Sequence, residues 1–513
     1  MSFSTEPLDL VGAHVLVAGA GTTGAAVVAA LDEFGARSVV VDRRFADAAA
    51  ASGAHEQRSP DDYLTGPEAF DDVDLVVTSP GFPPTNEFLV AAQAAGVPVW
   101  GDVELAWRLD AAGLTGAPRT WLVITGTNGK TTTTSMTEAI CEAAGLAVAA
   151  CGNIGLPVVA ALRAEPRADV LAVELSSFQL HWAPSVRPRA GVVLNVADDH
   201  LDWHGSFEAY RDAKAGVLTG EIAVVGLDDA VASALPVPAG SRRVGFTLAV
   251  PGPGELGVRD GIRSGTLVDA AFDDDGAVRP AAAAPADLVG ADRVQPSGPS
   301  GVADALAAAA LTRAIGVSAD AVARGLAGFS PAAHRGQTVA ELDGVRFVDD
   351  SKATNPHAAQ AAIDAHDRVV LIAGGLLKGA PVDDLVTRSA DRLAGVVAIG
   401  RDRAVILDAI ARHAPQVPVV TVFTGDDGAV ITHRTSDTVS LPAAPQSSAA
   451  DAVMAQAVAE AWSLAQAAPG TGAVLLAPAA ASLDMFASYG ARGDSFAAAA
   501  RTLAGATRGD AER

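Results

Sequence analysis

Residues 120–145 read TWLVITGTNGKTTTTSMTEAICEAAG, an apolar run, a glycine turn, then a stretch of helical length rich in hydroxyls. Strand, glycine turn and helix in that order form the context a phosphate loop needs. Successive backbone N–H groups in such a turn converge on phosphate oxygens, a lysine neutralises charge, and a hydroxyl one residue on can bind Mg²⁺. Lys130 and Thr131 occupy those two positions, with Gly126, Thr127, Asn128, Gly129 and Thr132 around them. The strict G-x-x-x-x-G-K-[ST] spacing fails, because only two residues separate Gly126 from Gly129. Set against an ordinary strand-to-helix turn with a surface lysine, the sequence favours a nucleoside triphosphate here.

Outward from this turn, short β-branched runs recur, each followed by an Ala-rich stretch: HVLVAG, SVVVD and DLVVTS before it, DVLAVEL, AGVVLNV, EIAVVG, RVVLIAGG, GVVAIG, VPVVTVF and GAVLLAPA after it. Continuous apolar runs alternating with helices indicate parallel strands buried on both faces, so the fold class is α/β. Gly, Pro and small polar residues interrupt the rhythm at 108–120 and 325–335. Three domains are therefore expected, at 1–112, 113–330 and 331–513. A Rossmann-like first domain, a central P-loop ATPase-like domain with a parallel sheet and a Rossmann-like last domain fit the runs. The segment 245–300, rich in Gly, Pro, Asp and Ala, is expected to be irregular or hairpin structure in the middle domain.

The 513 residues exceed what one compact core holds. Lys and Arg number 36 against 60 Asp and Glu, a formal charge of −24, and no basic run is present to track a nucleic acid. Nucleic acid is therefore excluded as an expected partner. Cys141 and Cys151 are the only cysteines, which fits core filler in a reducing compartment better than a disulfide framework. The N-terminus carries acids and no basic segment before its apolar run, and no unbroken apolar run reaches membrane-spanning length. A cytoplasmic chain without a transmembrane segment is expected.

A triphosphate site needs a metal carboxylate, and Glu174 ends the next strand, where an open parallel sheet presents its ligands. One strand later, His200 and His204 stand four apart in VADDHLDWHG, so on a helix they would share a face. No Glu lies between them in H-E-x-x-H fashion, which argues against zinc. Asp198 and Asp199 read as helix-capping acids, and Lys214, read alone, is a solvated surface lysine. Near the N-terminus, Gly19, Gly21 and Gly24 make a full G-x-G-x-x-G, and Asp42 closes the second strand. The pattern favours NAD, yet its physical content is only a diphosphate at a helix start with an acid nearby, which a nucleotide-sugar diphosphate also satisfies. VVTSPGFPP at 76–84 adds a second tight turn after a strand.

With these motifs in order, the sequence resembles the Mur ligase family of ATP-dependent amide-bond-forming enzymes that build the peptidoglycan stem peptide. TGTNGKTT carries the family's shortened phosphate loop, and GNIGLP, ELSSFQL, LNVADDHLDWHG, DDSKATNPHA, AGGLLKG and LLAPAAASLDMFASYGARGDSF follow along nearly the whole chain. The DDSKATN and SLDMF segments are most similar to the branch that adds D-glutamate to UDP-N-acetylmuramoyl-L-alanine. The resemblance implies a first domain that holds the uridine diphosphate moiety through Gly21, Thr23, Asp42, Arg44 and the Ser79–Pro80–Gly81 turn. It implies a middle domain that holds ATP and two Mg²⁺ ions, with Lys130 and Thr131 on phosphate and metal, Glu174 and His200 at the metal, and Asn153 on the substrate. Lys214 matches a carbamylated lysine that binds the second ion. Arg335 and Asp350 match nucleotide contacts, Lys352 lies near the phosphates, Thr354 and Lys378 hold one carboxylate of D-glutamate, and Ser482 and the backbone at Tyr489 hold the other. The implied catalytic set is Lys130, His200, Lys214 and Lys352, in a monomer.

Three positions depart from the family pattern. Tyr489 stands where Phe is common, Gln337 replaces a Glu after the His-Arg pair, and Asp304 in SGVAD replaces an adenine-side Asn. Three rival readings stand beside the ligase: an NAD-dependent oxidoreductase, which rests on Gly19 to Gly24 alone; a folylpolyglutamate-type ligase, which leaves the first diphosphate turn unexplained; and a non-catalytic nucleotide-binding scaffold.

Overall fold

The computed structural model describes residues 9–43, 56–425, 428–434, 438–441 and 448–511. Within them lie three sheets of five, nine and eight strands, alternating with helices. By compactness the chain forms two units, one of Met1–Val294 with Ala303–Phe329 and one of Gln295–Val302 with Ser330–Arg513.

The first unit holds two sheets. In the five-stranded sheet, β1 (His14–Ala18), β2 (Arg37–Val41), β3 (Glu56–Arg58), β4 (Leu75–Thr78) and β5 (Val99–Gly101) run parallel in the order β3-β2-β1-β4-β5. The strand order reverses between β1 and β4, so the loops after them border a crevice at the carboxyl ends, where open α/β sheets bind ligands. Val15, Leu16 and Val17 are buried on both faces of the sheet, as the unbroken apolar run requires.

The nine-stranded sheet contains β6 (Thr120–Thr125), β7 (Val148–Gly152), β8 (Val170–Glu174), β9 (Ala190–Val193), β10 (Ile222–Gly226), β11 (Arg242–Phe246), β12 (Glu255–Arg259), β13 (Thr266–Asp269) and β14 (Ala286–Gly290). Its order is β14-β13-β12-β11-β10-β9-β6-β8-β7, parallel from β7 to β12 and antiparallel across β12-β13-β14. The segment expected to be irregular or hairpin is this antiparallel extension, anchored by a fully buried Arg313–Asp269 ion pair at 2.8 Å. β6 sits between β8 and β9, so the loops following these three strands lie side by side.

The two sheets of this unit are joined by polar groups that burial obliges to pair. Arg119 donates to Asp110 at 2.7 Å, to Leu162 O at 2.7 Å and to Ala168 O at 3.1 Å, and Trp121 Nε1 donates to Asp110 at 2.9 Å. Nearby, Trp182 accepts the Gly101 N–H on its carbonyl at 2.8 Å and donates Nε1 to Phe82 O at 3.1 Å.

The second unit carries β15 (Gln337–Leu342), β16 (Val345–Asp349), β17 (Val369–Gly374), β18 (Leu393–Ile399), β19 (Val419–Thr424), β20 (Val430–His433), β21 (Thr438–Leu441) and β22 (Ala473–Leu476). Their order is β15-β16-β22-β17-β18-β19-β20-β21, parallel from β16 to β19 with antiparallel strands at both margins. The last-entering strand, β22, lies between β16 and β17, which sets the loops after β16, β17 and β22 beside one another.

Candidate functional site

The phosphate-loop segment folds as its spacing indicates. β6 ends at Thr125, and the helix Lys130–Ala143 starts with Gly129 as its N-cap at φ 85°, in the left-handed region that favours glycine. A Cβ on Gly129 would meet Asp304 Oδ1 at 2.2 Å, and one on Gly126 would meet Leu194 Cβ at 2.9 Å, so the turn is built against its neighbours. Lys130 Nζ donates to Gly126 O at 2.9 Å and Thr127 O at 3.0 Å. The backbone N–H groups of the first helical turn point out of the helix start, where intrahelical partners are absent by geometry.

Two loop residues face the protein instead. Thr127 Oγ1 lies 2.8 Å from the Tyr210 hydroxyl and accepts the Ala197 N–H at 3.0 Å. Asn195 Oδ1 accepts the N–H groups of Thr127 and Asn128 at 3.1 and 2.9 Å, and its Nδ2 donates to Asn128 O at 3.2 Å. Asn195 lies inside LNVADDHLDWHG, yet nothing in the sequence singles it out; its place after β9, beside β6, is what brings it onto the phosphate loop.

Glu174 at the end of β8 is buried, with Oε1 accepting Asn153 Nδ2 at 2.7 Å. Its Oε2 is also buried and has no hydrogen-bond partner, an expensive state for a carboxylate oxygen unless a cation meets it. Gly152, at φ 102°, presses its backbone on the Glu174 carbonyl, and Asn153 N–H donates to that carbonyl at 2.8 Å.

Lys214 corrects its single-residue reading. It is 2 % exposed on the helix Phe207–Ala215, donates Nζ to Gly126 O at 2.8 Å, and stands 4.7 Å from the Tyr210 ring centroid. Burial, then the neighbouring Lys130 charge, holds its amine well below the usual lysine range, against the pull of Asp199 and Glu174. The histidines also differ from a shared helical face. His200 is the left-handed N-cap of the short helix Leu201–His204, its ring 4.7 Å from that of Phe178 and its Nε2 3.5 Å from Asp199. Partial burial lowers its pKa, with Lys214 and Lys130 adding to the effect and Asp199 opposing it, which favours the neutral imidazole. His204 turns to Ser177 Oγ at 2.9 Å, and burial together with His181 and His200 lowers its pKa to about 4. Among the described residues no group of three His, Cys, Asp or Glu is gathered to hold a metal unaided. Both cysteines are free and buried, and burial pushes each thiol up to about 12.

In the five-stranded sheet, Gly19 has φ 106°, and a Cβ there would meet Ser79 Oγ at 2.6 Å, so the turns after β1 and β4 touch. Asp42 accepts the Ala20 N–H at 2.9 Å and thereby braces the glycine turn. Gly21 is the N-cap of the helix Thr22–Glu33, with Thr23 in its first turn; Gly81 is exposed beside Pro80. Arg44 lies outside the described residues.

In the second unit, the loops after β16, β17 and β22 carry the remaining positions. Asp350 is pushed up to about 7 by burial and by Asp349, against the opposing charge of Arg335. Lys352 Nζ stands 4.0 Å from the Tyr489 ring centroid, and Thr354 N–H donates to Lys352 O at 2.8 Å. Lys378 is exposed at φ 53°, two residues beyond Leu376, whose antiparallel bridge to Ala481 sets the loops after β17 and β22 against each other. Ser482 is buried at 4 %, and Tyr489 begins the helix Tyr489–Ala511. Asp304 proves to be a phosphate-loop neighbour: it accepts Thr133 Oγ1 at 3.2 Å as well as crowding Gly129.

Comparison with known proteins adds names to this geometry. The Mur ligase middle-domain profile matches residues 124–245, and the N-terminal domain profile of MurD-like Mur ligases matches residues 13–101. The UDP-N-acetylmuramoylalanine--D-glutamate ligase of Rhodococcus jostii is 57% identical over 495 residues, 94% of each chain. That of Mycolicibacterium smegmatis is 54% identical, covering 96% of this chain and 97% of its own. Among solved structures, the MurF ligase of Thermotoga maritima in complex with ADP is 16% identical, with a TM-score of 0.54 over 92% of this chain and 95% of that one. The UDP-N-acetylmuramate-alanine ligase of the same organism is 16% identical, with a TM-score of 0.51 over 96% and 99%. The two structures show a shared fold, and the near-full-length sequence identity decides the rest: the chain belongs to the Mur ligase family, in the group of UDP-N-acetylmuramoylalanine--D-glutamate ligases.

Proposed function

We propose that this chain joins D-glutamate to UDP-N-acetylmuramoyl-L-alanine at the expense of ATP, forming an amide in peptidoglycan precursor synthesis. The observation that carries the reading is the meeting of a phosphate-loop helix start with a buried Glu174 oxygen that lacks a partner and a buried Lys214 beside the loop's Gly126 carbonyl. An NAD-dependent oxidoreductase leaves all three without a purpose.

The residues fit a magnesium site. Glu174 Oε2 and neutral His200 would hold the ion with the Thr131 hydroxyl, and a carbamate on Lys214 would serve a second ion. A carbamate forms only on an uncharged amine, which attacks CO₂ and releases a proton, and burial beside Lys130 favours that state. Bound magnesium supplies neutralisation of charge on the phosphate oxygens. The chain's own groups do the rest. Lys130 and the first-turn N–H groups orient the triphosphate, so the alanyl carboxylate attacks the γ-phosphorus and an acyl phosphate forms with loss of ADP. The amine of D-glutamate attacks the acyl carbon, and the tetrahedral adduct collapses to amide and phosphate. Lys352 stabilises phosphate charge, Arg335 and Asp350 contact the nucleotide, Lys378 with Thr354 takes one glutamate carboxylate, and Ser482 with the Tyr489 N–H takes the other. Gly21, Thr23, Asp42 and the Ser79–Gly81 turn hold the uridine diphosphate moiety, and Asn153 meets the substrate between.

The domain limits 1–112, 113–330 and 331–513, a monomeric state and a cytoplasmic location belong to the same proposal; among the described residues no helix is long and apolar enough to cross a membrane. The test is phosphate release from ATP with Mg²⁺, supplying both substrates, each alone, and L-glutamate in place of D-glutamate. Release that needs both and fails with L-glutamate is expected. Release indifferent to the sugar nucleotide would favour the folate-type ligase, and none at all the scaffold.

A further inference from the structure

The ligase reading uses Arg335, Asp350, Lys352, Ser482 and Tyr489, but not the buried polar side chains that lie beside them. His334 Nδ1 is 2.7 Å from Asp349 Oδ2, and Asp349 is fully buried. The other Asp349 oxygen accepts the Ser351 N–H at 3.0 Å. Ser351 Oγ donates to the Tyr489 carbonyl at 2.8 Å and accepts Arg492 Nε at 2.9 Å. Arg492, 1 % exposed, directs its other donors to Ser351 O at 2.8 Å and Ala480 O at 3.0 Å. Among the described residues no carboxylate lies within ion-pair distance of it. A guanidinium buried on two carbonyls and one hydroxyl, without a carboxylate in contact, is costly to keep, so its geometry is specified rather than incidental.

Two backbone features point the same way. His334 sits at φ 65°, in the left-handed region that a residue with a Cβ rarely adopts, and its carbonyl accepts the Lys352 N–H at 3.2 Å. A Cβ on Gly493 would lie 2.1 Å from His334 Nδ1 and 2.7 Å from Asp349 Oδ2. The helix backbone is thus pressed on the His–Asp pair with no room for a methyl group.

We infer that His334, Asp349, Ser351 and Arg492 form a positioning network that locks the segment after residue 330 to the loops after β16 and β22, so that the nucleotide-side groups and the amino-acid-side groups share one register. None of the four touches substrate in this scheme; each acts through its neighbour, His334 on Arg335 and Lys352, Arg492 on Tyr489 and, through Ala480, on Ser482. The inference rests on the ligase reading for the identity of the two sides.

The test compares His334→Ala, His334→Asn and Gly493→Ala with the wild type, varying ATP, D-glutamate and the sugar nucleotide in turn and recording thermal unfolding. Loss of the His334–Asp349 bond is expected to raise KM for ATP and for D-glutamate together by about tenfold in His334→Ala and Gly493→Ala. KM for the sugar nucleotide is expected to stay within about twofold, since a different sheet holds it. His334→Asn should recover most of the loss, because an amide N–H replaces Nδ1–H and Asn accepts the left-handed backbone. Hydrogen exchange of 349–354 and 489–493 in the free protein should quicken in Gly493→Ala and His334→Ala and return to wild-type rates in His334→Asn. Unchanged KM for ATP and D-glutamate in His334→Ala would overturn the inference, as would an equal rise in all three KM values with a lowered unfolding midpoint. Should the wild type consume no ATP with D-glutamate, the ligase reading falls by that result, and unchanged exchange in the variants would separately dispose of the network.

Discussion

Replacing Asn195 by alanine removes three side-chain hydrogen bonds from the phosphate loop: the two N–H groups of Thr127 and Asn128 lose Oδ1, and Asn128 O loses Nδ2. At a net worth of about 0.5–1.5 kcal/mol each, the loss is about 1.5–4.5 kcal/mol. Thr127 N–H keeps the Asn195 main-chain carbonyl at 3.0 Å, which places the effect at the lower end. A loop no longer held by the protein has to be ordered by the nucleotide, so ATP affinity should fall about tenfold to thirtyfold at about 1.4 kcal/mol per decade. Asn195→Asp separates bracing from binding. The carboxylate still accepts both N–H groups, yet its negative charge repels a phosphate held on the same loop. The aspartate variant should therefore unfold no earlier than the alanine variant while binding ATP at least as poorly. Calorimetric titration with a non-hydrolysable ATP analogue and Mg²⁺, beside unfolding without nucleotide, measures both. Wild-type affinity in Asn195→Asp would refute the placement of phosphate beside this side chain.

Other consequences are as direct. Lys130→Ala should lower turnover at least about 100-fold with an unchanged unfolding midpoint, as expected for loss of a charge that stabilises transferring phosphate; normal turnover would dismiss the phosphate-loop assignment. Lys214→Ala should be inactive and partly recovered by a small added carboxylic acid, and full activity without it would dismiss the carbamate. Asp350, pushed up to about 7 by burial, binds its proton more tightly folded than unfolded, so its contribution is most favourable below the unfolded value of about 3.9 and is lost as pH rises through 7. Asp350→Asn should accordingly gain in unfolding midpoint over the wild type between pH 5 and pH 8, and parallel curves would contradict this. Gly129→Ala, strained at φ 85° and driven against Asp304, should lower the midpoint and abolish nucleotide binding together; retention of both would mean the turn opens freely.

The sequence carried the parallel strands because burial on both faces demands continuous apolar runs, as in β1, β4, β6 and β8. It did not carry β7, whose VAACG is mostly alanine and small residues, and it gave the antiparallel extension β12 to β14 only as irregular or hairpin structure, while β15 and β16, with QTVAEL and VRFVD, mix polar residues into their runs. Lys214 read as a surface lysine because burial on a charged helix depends on what that helix packs against, and the Gly126 carbonyl is 88 residues away along the chain. His200 and His204 read as helical neighbours because four-residue spacing is all a sequence offers; the left-handed cap at His200 breaks the shared face. Glu174 was legible from its place at a strand end, but its unpartnered oxygen was not.

A common device runs through all three sheets. An Asp or Asn side chain beyond one strand accepts the backbone N–H of the loop beyond another: Asp42 holds Ala20, Asn195 holds Thr127 and Asn128, Asp402 holds Leu377 at 2.8 Å, and Asp484 holds Arg401 at 2.8 Å. Parallel sheets make it available, because carboxyl-end loops of adjacent strands stand side by side and each opens with N–H groups that β pairing no longer satisfies. Three of the braced turns carry proposed ligand contacts: Ala20 precedes Gly21, Thr127 and Asn128 belong to the phosphate loop ahead of Lys130, and Leu377 precedes Lys378. The backbone that carries the side chains proposed to recognise phosphate and carboxylate is thereby ordered before the ligand arrives. Ordering a loop on binding costs about 1–2 kcal/mol per residue, so preordering these turns is worth more to affinity than any single contact they make.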